Sequence, residues 1–130
     1  MSQENVEIVR RAVAYELYGV GDRAEAEAIF DPDVVINPSE EGPSHGLDAI
    51  RDNIEHWKDA WQELEVTTEE FIDAGDRVLV MVHHRGRGRG SGIEVDTRFY
   101  LVYSLRNGKV VRSDEYVDRA DALKAAGLLP

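Results

Sequence analysis

Apolar residues in the first part of the chain recur at helical spacing. From Gln3 to Tyr18 they form a stripe with steps of three and four, wide enough to predict a helix buried on more than one side. Asp22, followed three residues later by Glu25, has the pattern of a capping box and predicts a short second helix. Asp31-Pro32 is expected to end that helix, because proline cannot continue it.

A long third helix is predicted after a short strand and a loop. The run from Val34 to Ile36 favours a strand, and Pro38 to Gly46 is rich in turn-forming residues. Beyond this loop, apolar residues recur at alternating steps of three and four: Leu47, Ile50, Ile54, Trp57, Trp61 and Leu64. The pattern predicts a helix that extends to Leu64 and places both tryptophans on it.

The second half of the chain has the pattern of an antiparallel sheet. A strand over Val66–Ile72 reverses at a turn of residues 73–76. Three long apolar strands follow, at Arg77–Arg89, Ile93–Arg106 and Lys109–Asp118. Helices followed by such a run of strands predict an α+β fold.

Asn107-Gly108 predicts a tight hairpin between the last two strands, because a type I′ turn needs positive φ at both central residues. Without a bulge, this turn sets Tyr100 opposite Glu115 and Val102 opposite Ser113. Both faces of the hairpin are then largely apolar. We therefore expect the helices to cover one face and a second subunit to cover the other, which gives a homodimer through the sheet.

Length and composition narrow the class of protein. The 130 residues are enough for one domain, predicted to span residues 1–130. The chain has 42% hydrophobic and 32% charged residues and no signal-peptide core, which predicts a cytoplasmic protein with no membrane partner. Because there is no cysteine, disulfides, thiolate nucleophiles and cysteine-ligated metals are excluded.

The charge argues against a nucleic-acid partner. A formal net charge of −11 repels a phosphate backbone. The segment RGRGRG at residues 85–90 is basic, but strand alternation is expected to place its arginines on one exposed edge, where charge prevents edge pairing.

Four ionisable residues lie within the apolar strands: His83, His84, Asp114 and Glu115. A buried ionisable group is costly unless it is paired or used, so these residues predict a lined pocket. Neighbouring strand residues face opposite sides, which separates His83 from His84. The histidines show no metal-ligand spacing, and we expect neither a metal nor another cofactor.

The whole chain resembles the SnoaL-like branch of the nuclear transport factor 2-like superfamily. The resemblance lies in the order of elements and in the motifs Asn5–Ala12, Gly21-Asp22, Ile29–Asp33, Gly46–Arg51, Ile72–Val78 and Asn107–Arg112. It implies a cone-shaped α+β fold, in which a curved antiparallel sheet wraps around N-terminal helices. Ketosteroid isomerases, limonene epoxide hydrolases and polyketide cyclases share this fold.

The resemblance also implies candidate site residues. Asn37 stands where ketosteroid isomerases have an aspartate base, and their oxyanion-donating tyrosine falls one position from Tyr15. A neutral amide cannot abstract a proton, which argues against isomerase chemistry of that kind. Similarity to limonene epoxide hydrolase implies that His84 and Glu115 occupy the positions of that enzyme's two catalytic aspartates. The arginine that the hydrolase also uses has no counterpart in this sequence. His84 and Glu115 are therefore the predicted catalytic pair, since a histidine beside a carboxylate can relay a proton.

Five residues are predicted to contact a ligand: Tyr15, Asn37, Trp57, Trp61 and Tyr100. The tryptophans are expected to form an aromatic wall, and the tyrosines to offer hydroxyl groups. If His84 and Glu115 share a cavity, the carboxylate is expected to raise the pKa of His84, whereas burial alone lowers it.

Two functions remain open from the sequence. One is a cofactor-independent acid/base enzyme of the cyclase, hydrolase or isomerase type, acting on a small apolar molecule. The alternative is a non-catalytic ligand-binding or dimeric accessory domain. A cavity with both His84 and Glu115 on its wall favours the enzyme.

Overall fold

The computed structural model describes residues 2–38 and 42–128, so residues 39–41 of the predicted loop lie outside it. The described part of the chain contains four helices and six strands. In chain order they are α1 (Ser2–Tyr18), α2 (Arg23–Ile29), β1 (Phe30–Asn37), β2 (Ser44–His45), α3 (Leu47–Ala60), β3 (Trp61–Asp73), β4 (Arg77–Gly88), β5 (Glu94–Arg106), β6 (Lys109–Tyr116) and α4 (Arg119–Ala125). None of these helices is long and apolar enough to cross a membrane.

The strands form a curved sheet in the order β2-β1-β6-β5-β4-β3. β1 runs parallel to β6, and the other neighbouring strands are antiparallel. The predicted α+β fold is confirmed, with a mixed sheet where a purely antiparallel one was expected. Apolar side chains from α1, α2 and α3 pack with those of one sheet face, which we call the inner face, in the main core.

α4 covers part of the opposite, outer face and was not predicted. Its N-cap is Asp118, whose carboxylate accepts a hydrogen bond from the backbone N–H of Asp121. Ala122 and Ala126 are buried against Leu79 and other apolar residues of the outer face. The chain's own helix thus covers a surface that we expected a second subunit to cover, and homodimerisation through the sheet stays a prediction.

The first helix boundaries agree with the sequence, whereas the first strand begins earlier than predicted. The Asp22 carboxylate accepts a hydrogen bond from the Glu25 backbone N–H at 3.0 Å, which caps the N-terminus of α2 as predicted. β1 begins at Phe30 and runs through Pro32, whereas the helix was expected to end at Asp31-Pro32 and the strand to begin at Val34. Proline is tolerated there because the pairing of β1 with β6 is irregular between Phe30 and Val35.

The prediction that the third helix extends to Leu64 is wrong. α3 ends at Ala60, and Trp61 begins β3, where it pairs with Gly88. A bulge between Trp61 and Glu63 places Leu64 opposite Gly86, on the same sheet face as Trp61. Two residues three apart in sequence therefore share a face, which imitates a helical step.

Arg89 stabilises the junction between α3 and β3, and Arg87 links β4 to β5. The Arg89 guanidinium donates hydrogen bonds to the carbonyl oxygens of Asp59 and Trp61, both at 3.0 Å. Arg87 forms an ion pair with Glu94 at 2.9 Å. β4 lies between β3 and β5, so the expectation that these arginines mark an exposed sheet edge is wrong.

A second bulge corrects the predicted register of the hairpin. Asn107 and Gly108 have φ of 53° and 77°, as the predicted turn requires. Ser104 pairs with Arg112 but Leu105 pairs with Val110, and this extra residue on β6 shifts the register by one. Glu115 therefore lies opposite Leu101, and not opposite Tyr100 as predicted. The shift moves Glu115 to the inner face.

Candidate functional site

A cavity of about 400 Å³ opens on the inner face of the sheet, between the end of α1, α3 and strands β4–β6. Its deep wall includes buried side chains such as Glu16, Leu101 and Ser113, while Ala60 and Val117 are exposed at its rim. Much of its wall is apolar or aromatic: Leu17, Ile36, Ile54, Trp57, Trp61 and Phe99. Its size and lining are those of a site for one small molecule.

His84 lies on the cavity wall inside an aromatic cage. Its ring is 4.4 Å from that of Trp61, edge-on at 87°, and 5.3 Å from that of Trp57, measured between centroids. Phe99 completes the cage at 6.3 Å. The side chain is buried, and its Nε2 atom has no hydrogen-bond partner.

The cage keeps His84 neutral. Burial lowers the pKa of His84 below its usual value, and the neighbouring charge of His83 acts in the same direction. The expectation that Glu115 raises the pKa of His84 is not what the structure shows, because desolvation dominates. His83 lies on the outer face as predicted, where its Nε2 is 2.5 Å from the Asp96 carboxylate.

Glu16 is a functional candidate that the sequence reading missed. Its side chain, 9% exposed, lines the cavity from α1. The Tyr103 hydroxyl donates a hydrogen bond to Oε2 at 3.2 Å, and Oε1 has no partner. Burial raises the pKa of Glu16 to about 8, the hydrogen bond from Tyr103 opposes that rise, and the charge of Glu115 adds to it. Glu16 is therefore mainly protonated at neutral pH.

A signal for Glu16 was present in the sequence. Val9, Ala12 and Val13 form the buried stripe of α1, and Glu16 continues it three and four residues further on. A charged residue in such a stripe is rarely buried without a structural or functional reason.

The structure brings together five of the seven predicted site residues. His84, Glu115, Asn37, Trp57 and Trp61 all line the cavity. The Asn37 side-chain amide donates a hydrogen bond to Asp114 at 3.0 Å, so one of its two N–H groups is already used within the protein.

Tyr15 and Tyr100 do not line this cavity. Tyr15 packs against Phe30 in the main core, with ring centroids 6.0 Å apart. Tyr100 lies on the outer face, in the cluster that α4 covers. Strand alternation puts it on the opposite side from Phe99 and Leu101.

Comparison with known proteins identifies the family. A family model described as the SnoaL-like domain matches residues 9–113. The chain belongs to the SnoaL-like family. None of the curated proteins compared with this SnoaL-like chain matches it.

Solved structures show the same fold. A protein from Jannaschia sp. CCS1, assigned as a SnoaL-like polyketide cyclase, is 23% identical with a TM-score of 0.76, over 99% of this chain and 95% of that one. An NTF2-like protein from Burkholderia xenovorans LB400 is 25% identical with a TM-score of 0.76, over 97% and 98% of the two chains. TerC, co-crystallised with polyporic acid, is 20% identical with a TM-score of 0.70, over 95% and 98%. These likenesses establish the architecture of the SnoaL-like domain, and its chemistry has to be argued from its own residues.

Gly86 makes room for the aromatic cage of this SnoaL-like domain. A Cβ at this position would lie 2.8 Å from the Glu63 carbonyl oxygen, 3.0 Å from the Trp61 ring and 3.4 Å from His84 Nε2. Moving the backbone carbonyl of Glu63 aside costs more free energy than rotating a side chain. The absence of a side chain here therefore positions both Trp61 and His84.

We predict that Gly86→Ala displaces Trp61 and destabilises the fold by about 1–3 kcal/mol, the usual cost of overpacking. Urea unfolding and the tryptophan emission maximum measure the two effects. Gly88→Ala is the matched control, because its Cβ would meet the side chain of Ser91, which can rotate away. Equal stability and emission in the two variants would show that Gly86 does not position the cage.

Proposed function

We propose that this SnoaL-like protein binds a small, mostly apolar molecule in the cavity and acts on it by acid/base chemistry through His84 and Glu115. One observation carries the proposal. Two buried polar atoms, His84 Nε2 and Glu16 Oε1, have no partner in the protein and belong to residues that line the same cavity.

Buried polar atoms without a hydrogen-bond partner lower the stability of the folded state. Leaving one unsatisfied costs about 1–3 kcal/mol, and proteins usually avoid this. Among the described residues a third such atom is Arg87 Nε, which belongs to a residue outside the cavity. The placement of the other two around one apolar space supports a ligand that supplies their missing partners.

The electrostatics supports proton transfer. A neutral imidazole accepts a proton through a nitrogen that carries none, and His84 is held in the neutral form by burial. Glu115 provides a second ionisable group on the same wall. A proton acceptor on the wall of an apolar cavity is what proton abstraction or water activation requires.

A second candidate function is ligand binding without turnover. It is favoured by the pKa of His84, which burial lowers and which therefore does not show the rise expected of a histidine paired with a carboxylate. If ligands bind and none of them is chemically changed, ligand binding without turnover is the function of the cavity.

Tryptophan fluorescence tests the proposal, because Trp57 and Trp61 line the cavity. We predict a saturable change in emission on titration with small apolar ketones, epoxides or aromatic lactones, and chromatography of the same mixtures detects turnover. The response should shrink in Trp61→Phe, whose ring is the nearer one to His84. If no compound of a broad panel changes the emission, the tryptophans are core residues and the proposed function is wrong.

A further inference from the structure

We propose that Glu16 determines which molecules this cavity accepts: its Oε1 donates a hydrogen bond to an oxygen atom of a neutral ligand, and the site rejects anions. This inference rests on the proposed function. It names the ligand class as neutral, mostly apolar molecules that carry a carbonyl or a similar acceptor oxygen.

The hydrogen bonds around Glu16 fix which of its oxygens can donate. Oε2 accepts from the Tyr103 hydroxyl, which is fully buried and held in turn by a hydrogen bond from Ser113. In a neutral carboxyl group the proton therefore belongs on Oε1, the atom without a partner. A fixed carboxylic acid that is nine-tenths buried and lacks an acceptor is complementary to an oxygen lone pair.

The charges that face the cavity disfavour an anion. Glu115 from β6 and His84 from β4 line the same space as Glu16, and Tyr103 from β5 contacts it directly. A carboxylate ligand would thus enter a site that already contains two carboxyl groups. Burying it without a cation is strongly unfavourable.

Apart from His84, the basic side chains of the wall are exposed, unlike Glu16, which is buried. Arg98 from β5 is exposed, and its guanidinium is bound to the Glu69 carboxylate at 2.7 Å and 3.2 Å. His56 from α3 is exposed as well. Asn37 from β1 is neutral and donates to Asp114. No lysine is present among the described residues of the wall.

The donor is lost when Glu16 ionises. Its pKa of about 8 means that the acid form prevails below this pH and the carboxylate above it. Affinity for a neutral acceptor should therefore fall as pH rises through this range. Gln at this position keeps a donor of similar shape but does not titrate.

Three probes of one shape separate the contributions: benzylacetone is a neutral ketone, hydrocinnamate is its anionic counterpart, and isopentylbenzene has no oxygen. We expect calorimetry at about pH 6 to show that benzylacetone binds at least about tenfold more tightly than either of the others. Between about pH 6 and about pH 9, the affinity of the wild-type protein for benzylacetone should fall about tenfold. Glu16→Gln should keep a constant affinity over this range, and Glu7→Gln, an exposed change on the same helix, should behave as wild type.

Each outcome decides the matter. Hydrocinnamate binding as tightly as benzylacetone would overturn the inference while leaving the proposed function intact. The same would follow from an affinity that does not change with pH in the wild-type protein, or from one that changes equally in Glu16→Gln. If none of the probes binds, the proposed binding function fails, and the inference fails with it.

Discussion

Glu16→Gln is expected to stabilise the protein by about 3 kcal/mol at about pH 7. The folded protein keeps Glu16 protonated up to a pKa of about 8, whereas the unfolded chain loses this proton near 4.5. Between these two values the folded state holds one proton more than the unfolded state, so stability falls as pH rises. Gln removes this penalty because it is neutral in both states.

The gain should depend on pH in a defined way. Below about pH 4.5 both states carry the proton and the wild-type protein and the variant should be nearly equal in stability. The difference should then widen up to about pH 8 and stay constant above it. Urea unfolding at a series of pH values measures this, with Glu7→Gln as the control for the loss of one exposed negative charge. A constant difference at all pH values would mean that Glu16 ionises normally, and would contradict the claim that it is protonated in the folded protein at neutral pH.

Tyr103→Phe is expected to lower the stability by about 1–3 kcal/mol, because it leaves buried hydrogen-bonding groups without a partner. The Tyr103 hydroxyl contacts Glu16 Oε2 at 3.2 Å in a fully buried position. Its hydrogen bond favours the carboxylate form, and it therefore restrains the rise in the pKa of Glu16. Without it, the pKa of Glu16 should move further up.

NMR titration of the glutamate side-chain carboxyl carbons measures that shift, and urea unfolding at about pH 6 measures the stability. Tyr100→Phe is the control, since this tyrosine lies on the same strand but on the outer face. An unchanged titration of Glu16 in a folded Tyr103→Phe variant would show that the hydrogen bond does not set its protonation.

Features set by local sequence were predictable. The Asp22 cap and the Asn107-Gly108 turn depend on residues that are adjacent in the chain, and both occur as expected. The same local rule would have identified α4, since Asp118 precedes a run rich in alanine that ends at Gly127.

Features set by tertiary pairing were not predictable from periodicity. The bulge that puts Trp61 and Leu64 on one face imitates a helical step, so the end of α3 was misplaced. The bulge in β6 reverses the face of Glu115 without any mark in the turn that precedes it. His84 and Glu115 line one cavity because of that bulge, whereas the predicted register put Glu115 on the face of Tyr100.

Glu16 is a site residue that the resemblance to the SnoaL-like family did not predict. The motifs that carry the resemblance describe caps, turns and core contacts, and α1 contributes only Asn5–Ala12 to them. Protonation of this residue depends on the packing of α1 against Tyr103 and the neighbouring β6. Burial of that kind becomes visible only when the elements are assembled.

Chemical-shift mapping with benzylacetone tests most directly the claim that the inner-face cavity is the functional site. In ¹H–¹⁵N spectra, the account predicts saturable shifts of the indole N–H signals of Trp57 and Trp61 and of the amide signals around His84. The signals of Leu79 and Tyr100, on the outer face, should not move. Shifts confined to the outer face, or no shifts at all, would contradict the claim.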